Sequence, residues 1–217
     1  PRGEWRDGYR RVQPAGAEGS LLLEQRNRLG FTAQFARWSM KVGLQEVRSF
    51  FPQPTESGAV LGTYETWASW RASDQVEVIV GRQLVKFDDE RIVGAVDWSQ
   101  QGRFLDGVRL NWNGNLSKTS VIYTWDSPNS KTRTIVHHVV EANRHRIAGV
   151  FMDEANFGSS TAHTLTGGFN WKYNTSTNWA FGAEVDGQTV TGNEGETDLG
   201  TLLSLEAHHG TPSKGKT

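Results

Sequence analysis

Apolar and polar residues alternate one by one through most of this chain, and a period of two admits strands and little else. Over 20–35, Glu24, Arg26, Arg28, Thr32 and Gln34 share one parity, while Leu21, Leu23, Leu29, Phe31, Ala33 and Phe35 share the other. Gln25 and Asn27 interrupt the apolar side, which predicts a bulge or a stretch near a rim. The beat continues with Met40, Val42 and Leu44 against Lys41, Gly43 and Gln45, and with Val76, Val78 and Val80 after a turn at 72–74. It returns with Phe104, Val108, Leu110 and Trp112 against Arg103, Gly107, Arg109 and Asn111. Later runs carry Val121 and Tyr123, Ile147 and Phe151, Leu165 and Phe169, Phe181 and Val185, and Leu199, Leu203 and Leu205. About ten or eleven strands follow, counting 4–12 as a weak one, and no helical period lasts beyond a turn or two.

The connections alternate in length. Those at 72–74, 113–115 and 174–177 are short, and Asn113-Gly114 is a hairpin signal in itself. Those at 51–59, 126–134, 153–162 and 188–196 are long. Short turns on one rim and long loops on the other suit an up-and-down transmembrane barrel. A mean hydropathy of -0.56 does not oppose that reading, because barrel strands average lipid-facing with lumen-facing residues. No stretch approaches the roughly 20 apolar residues of a membrane helix. Nine Trp and 24 Gly among only 36% hydrophobic residues is a combination at home in barrels. Trp5, Trp38, Trp70, Trp112, Trp125, Trp171 and Trp179 lie near strand ends, where an interfacial girdle would place them. The rival reading is a soluble Trp-rich β-sandwich whose rings pack inside or line a sugar cleft as a carbohydrate-binding module.

Composition removes other classes. Lys plus Arg at 23 against Asp plus Glu at 24 leaves a formal charge of -1, without the bulk basic charge of a nucleic-acid binder. No Cys is present for disulfides, thiolate metal sites or a thiol nucleophile. The nucleophile elbow, the zinc-protease helix, the phosphate-binding loop and the dinucleotide fingerprint are all missing, so no catalytic residue and no cofactor is assigned. Asp88-Asp89-Glu90 clusters carboxylates, yet its spacing fits no calcium loop and suits a solvated loop or partners for Arg82 and Arg91. His137-His138 and His208-His209 lack a consistent third ligand for zinc. Glu65 with Glu184 or Asp186 would make a glycosidase pair, but no spacing demands one.

Specific motifs cluster in the first half. Gly81-Arg82-Gln83, Phe87-Asp88-Asp89-Glu90-Arg91, Trp98-Ser99-Gln100-Gln101-Gly102-Arg103 and Asp106-Gly107-Val108-Arg109-Leu110 follow one another between 80 and 110. With Gln25-Arg26-Asn27-Arg28-Leu29-Gly30-Phe31 and Leu44-Gln45-Glu46-Val47-Arg48 upstream, this order resembles the alginate export family of bacterial outer-membrane β-barrels. Beyond about 134 the likeness is one of hairpin rhythm. The resemblance implies an outer-membrane porin in contact with lipid, passing an anionic polysaccharide or small polar solutes, with an export partner in the periplasm left unspecified.

Channels with an aqueous lumen run to about 16–18 strands. The smaller count here, with a loop-like tail at 210–217, predicts that residues 1–217 are one domain forming the N-terminal part of a longer barrel. Its first and last strands should then leave free edges. The wet parity carries Arg26, Arg28, Lys41, Arg103 and Arg109, with Arg82 joining past a bulge at Gly81, and these would form a stepping path for carboxylates. Glu24, Glu65, Glu184, Asp186 and Glu206 share that face, so mutual ion pairs are an equal reading of the same charges.

Overall fold

The structure, a computed structural model, describes residues 2–6, 20–51, 60–97, 102–126, 130–156, 162–175, 179–191 and 197–209. They form twelve strands: β1 (Arg2–Arg6), β2 (Ser20–Phe35), β3 (Trp38–Phe51), β4 (Val60–Arg71), β5 (Val76–Gln83), β6 (Leu105–Asn113), β7 (Ser117–Asp126), β8 (Lys131–Ala142), β9 (His145–Asn156), β10 (His163–Asn174), β11 (Trp179–Thr191) and β12 (Thr197–His209). All lie in one sheet in chain order, each antiparallel to the next. Of the weak strand expected at 4–12 only the start is described, within β1. The tail at 210–217 lies outside the described residues, as do 98–101.

A sandwich needs a second sheet to cover the first, and none exists among the described residues. The apolar parity instead stands uncovered. Phe31 is 63% exposed, Phe169 48% and Leu203 71%, and Val42, Val108, Leu110 and Phe181 are exposed with them. Leu44 departs from this set and is half-buried. Trp38, Trp70, Trp112 and Trp179 stand exposed at the ends of their strands next to the short turns, and Trp38 stacks on Trp70 at 6.1 Å. Trp125 stands exposed at the opposite rim, and Trp5 falls among residues whose side chains are not described.

A pair of bulges adjusts the pleat. The register is unbroken at Gln25 and Asn27, where an irregularity was expected; the shift lies between Leu23 and Glu24 and leaves Phe50 as the extra residue of β3, and another between Gly43 and Leu44 leaves Tyr64 as the extra residue of β4. That extra residue puts the Tyr64 ring under the Arg28 guanidinium, 3.6 Å from its centroid. No register shift occurs at Gly81, whose φ of 125° is open to glycine alone.

The connections at 127–130, 157–162 and 192–196 are shorter than the sequence predicts, because β8, β9, β11 and β12 take up their ends. The longest connection joins β5 to β6, and 84–97 and 102–104 of it are described. These residues do not stand away from the sheet. Val85, Phe87 and Val93 are buried with Ile122 of β7 and Ile135 of β8, and Leu105, Val150 and Met152 pack against them. The inner parity of β7 and β8 is therefore mixed beneath this segment, with Ile122, Ile135 and Val139 buried beside Ser120, Thr124 and His137, where a wet face was expected.

Candidate functional site

The 84–104 segment is tied to strands from both halves of the sheet. Near its end, Asp97 accepts a 2.7 Å hydrogen bond from Nη1 of Arg28, and Arg26 donates to the Asp97 carbonyl at 3.0 Å. Both arginines stand on β2. In the middle of the segment, Arg91 reaches Glu184 of β11 at 3.2 Å and Glu206 of β12 at 2.6 Å. Six residues separate Arg91 from Asp97 and span at most about 20 Å, whereas ten strand spacings across a flat sheet measure about 48 Å. Even with the reach of the side chains added, β2 and β12 meet one short segment only because the sheet curls around it.

Ahead of both anchors along the segment, Asp88 makes a third. Nε2 of His137 lies 3.0 Å from one of its oxygens and Nη2 of Arg146 lies 2.5 Å from the other, so β8 and β9 hold one carboxylate. Burial alone would raise the Asp88 carboxyl; the hydrogen bonds from His137 and Arg146 and the Arg146 charge outweigh it and hold the carboxyl below its ordinary value. For Asp97 the hydrogen bond from Arg28 is the chief cause of a shift in the same direction. Phe87 stacks on the His137 ring with centroids 4.0 Å apart, and the Arg109 guanidinium lies 5.5 Å from the Phe87 centroid on another side.

The local backbone suits a segment with no strand partner. Phe87 N donates to Val93 O and Arg103 N to Ala95 O, closing it on itself. Asp88, Glu90 and Val96 have φ of 51°, 64° and 50°. Asp tolerates the left-handed region, but a β-branched Val there is strained and is held by its surroundings.

The predicted cations divide. Arg26, Arg28, Lys41 and Arg109 all point to the inner face, where Lys41 pairs with Glu65 at 2.5 Å and Arg109 donates to Asn111 and Ser120. Glu24 is half-buried on the parity of Arg26. Arg82 and Arg103 stand apart from this set. Arg103 precedes β6 and belongs to the segment folded across the inside, since pairing with β5 begins only at Leu105. Arg82 shares the parity of Val78 and Val80, with no register shift at Gly81; its fork grips Asp106 at 2.8 and 2.6 Å and lies 5.9 Å from the Phe104 ring centroid.

The acid run Asp88-Asp89-Glu90 fans out to separate cations. Asp89 meets Arg91 at 2.9 Å and Glu90 meets Lys86 at 3.1 Å, so Arg91 is a partner and Arg82 is not. Glu65, the imagined partner of Glu184, is taken by Lys41 and Trp67 on β4. What the sequence reading missed is the inward segment itself. Its signal is the pair of apolar parities at Val121-Ile122-Tyr123 and Ile135-Val136, a mark of strands covered on both sides, opposite a connection containing Val85, Phe87, Ile92 and Val93.

The antiparallel sheet has a counterpart of known structure. The fold is that of outer-membrane porins. OpdL of Pseudomonas aeruginosa superposes with a TM-score of 0.55 at 12% identity, over 94% of this chain and 58% of that one. OmpT of Vibrio cholerae, in its trimer form, gives 0.44 at 8% identity, over 88% of this chain and 83% of that one. A mutant of the Rhodobacter blastica porin gives 0.39 at 10% identity, over 95% and 96%. The chain thus spans little more than half the length of OpdL. No protein-family model and no curated protein matches the sequence.

Proposed function

We propose that these twelve strands are wall of a passive channel in the bacterial outer membrane, with residues 84–104 narrowing its passage. The observation that carries this is the division between faces. Phe31, Val108, Phe169, Val185 and Leu203 stand exposed outside, whereas the inner face holds Arg26, Arg28, Lys41, Glu65, Asn170 and Glu184. Apolar exposure on that scale is unfavourable in water and favourable against lipid. A free strand edge is not tolerated in hydrocarbon, so further strands must pair with β1 and β12 before such a wall conducts.

The solute is an anionic polysaccharide of the alginate type, or small polar solutes. The resemblance of the motifs between 80 and 110 to the alginate export family supports it, as do the inward Arg26 and Arg28. Their pairing with Asp97 reduces the field an anion would meet, so the passage has mixed charge. The full-length protein in planar lipid bilayers tests both levels. Discrete conductance steps are expected, larger when 86–96 is replaced by a short Gly-Ser link; a protein that folds and inserts without conducting overturns the channel. Exchanging Arg26 and Arg28 for Gln leaves Asp97 uncompensated and should shift the reversal potential towards cations. Oligouronates should block current from one side, and their failure to do so at any voltage would remove the polysaccharide while leaving the pore.

A further inference from the structure

A cavity of about 420 Å³ lies where the 84–104 segment meets β6, β7, β8 and β9. Its floor is apolar, made by Val85, Ile92, Leu105, Ile135 and Met152, and Arg103 stands in its wall. We propose that this cavity binds a small amphipathic carboxylate, one that buries an aryl or branched-alkyl body on the floor and presents its carboxylate to Arg103. The site rests on the docked position of the segment and not on conduction, and its ligand is unlike a sugar polymer.

The charges at the cavity select for one negative charge. Glu154, also in the wall, is already shared by Lys131 and Arg133, each 2.6 Å from one of its oxygens. Those three groups sum to one positive charge. Asp126 also lines the cavity and has an interaction of its own, so Arg103 is the cation there that no acid is seen to hold. Among the described residues the Arg103 side chain makes no ion pair and no hydrogen bond, although its own backbone N–H is fixed on Ala95 O at 2.6 Å. A guanidinium placed by its backbone and left without a partner presents a planar fork to a carboxylate. A dianion would meet Glu154 and Asp126 as well, and a uronate would set hydroxyls against the apolar floor without partners for them. Four charged side chains, Arg103, Asp126, Arg133 and Glu154, share this cavity with its apolar floor, and small-molecule sites of a few hundred Å³ commonly set placed polar groups against an apolar wall.

Calorimetry on the full-length protein in lipid nanodiscs tests this with cinnamate and its uncharged amide as probes. Cinnamate should bind saturably, with the amide roughly tenfold weaker or more, as loss of a charge-assisted contact requires. Arg103→Gln should weaken cinnamate by about the same factor and leave the amide unchanged, and Arg103→Lys should recover part of it. Arg144→Gln, in the turn at the other rim, should change neither. Equal binding of the two probes, no saturable binding of cinnamate, or no effect of Arg103→Gln in protein with normal conductance would overturn the site. Binding that follows Arg103 in a protein that does not conduct would uphold the site and sink the channel.

Discussion

The carboxylate of Asp88 and the ring of His137 are joined twice over: Nε2 lies 3.0 Å from the carboxylate, and Phe87, the residue before Asp88, lies flat on the same ring. Apolar contact and hydrogen bond thus dock adjacent residues of the 84–104 segment on a single side chain of β8. The imidazole is buried, with Ile135 and Val139 on its own parity of the strand.

Acid should release the segment before it unfolds the sheet. Asp88 and Asp97 are both held below the ordinary carboxyl value of about 3.9, so their contribution is fully present above that pH and is lost as pH falls through the lowered values. Spin labels on the segment and on β12 should show a fixed distance at pH 5 and above and a broadened one once the pH falls well below the ordinary carboxyl range. A distance unchanged to pH 2 would mean that apolar contacts alone hold the segment.

Ile135→Ala should loosen the segment more than the wall. Ile135 is fully buried between β8 and Val85, Phe87 and Val93, and truncation in such a site costs roughly 2–5 kcal/mol. Because the segment can lift away while the ladder β7-β8-β9 stays paired, protease cleavage within 84–104 should accelerate, with the heat-stable strand signal in circular dichroism retained. Loss of both together would show that wall and segment form one cooperative unit.

Gly81 and Gly107 face each other across β5 and β6. A Cβ on Gly81 would strike the Thr66 carbonyl oxygen and lie 2.9 Å from Cα of Trp67, and one on Gly107 would strike the Tyr123 carbonyl oxygen. Ala at either position should lower stability by about 1–3 kcal/mol in urea, since neighbouring strands must move apart. Gly30→Ala, with open space around the added methyl, should cost nothing or stabilise. Equal midpoints for all three variants would contradict the close strand approach.

Val185→Arg should separate lipid from water on the outer face. Val185 is 50% exposed near the middle of β11, and in a bilayer an Arg there costs about 2–4 kcal/mol, whereas on a wet surface it costs almost nothing. Folding yield into vesicles of defined thickness, measured by the shift in gel mobility of the folded form, reads the difference. Unimpaired folding would place this face in water.

The alternation of residue types, by itself, determined that the chain forms antiparallel strands and which parity of each is apolar, as Leu29 and Phe31 against Arg28 and Thr32 illustrate. Side-chain direction alternates with the backbone pleat, so that information is local. It also determined the rhythm of short and long connections. Only the tertiary structure decided that the apolar parity lacks a covering sheet, that residues 84–104 turn inward, and that Arg28, Asp88 and Arg91 find their partners 69, 58 and 115 residues away. The same step decided the partner of Arg82, which the unbroken β5–β6 register sets opposite Asp106. A period of two says which residues share a face, but the partner of a charge depends on which strands the curl of the sheet brings within a few ångströms, and that is a property of all twelve strands at once.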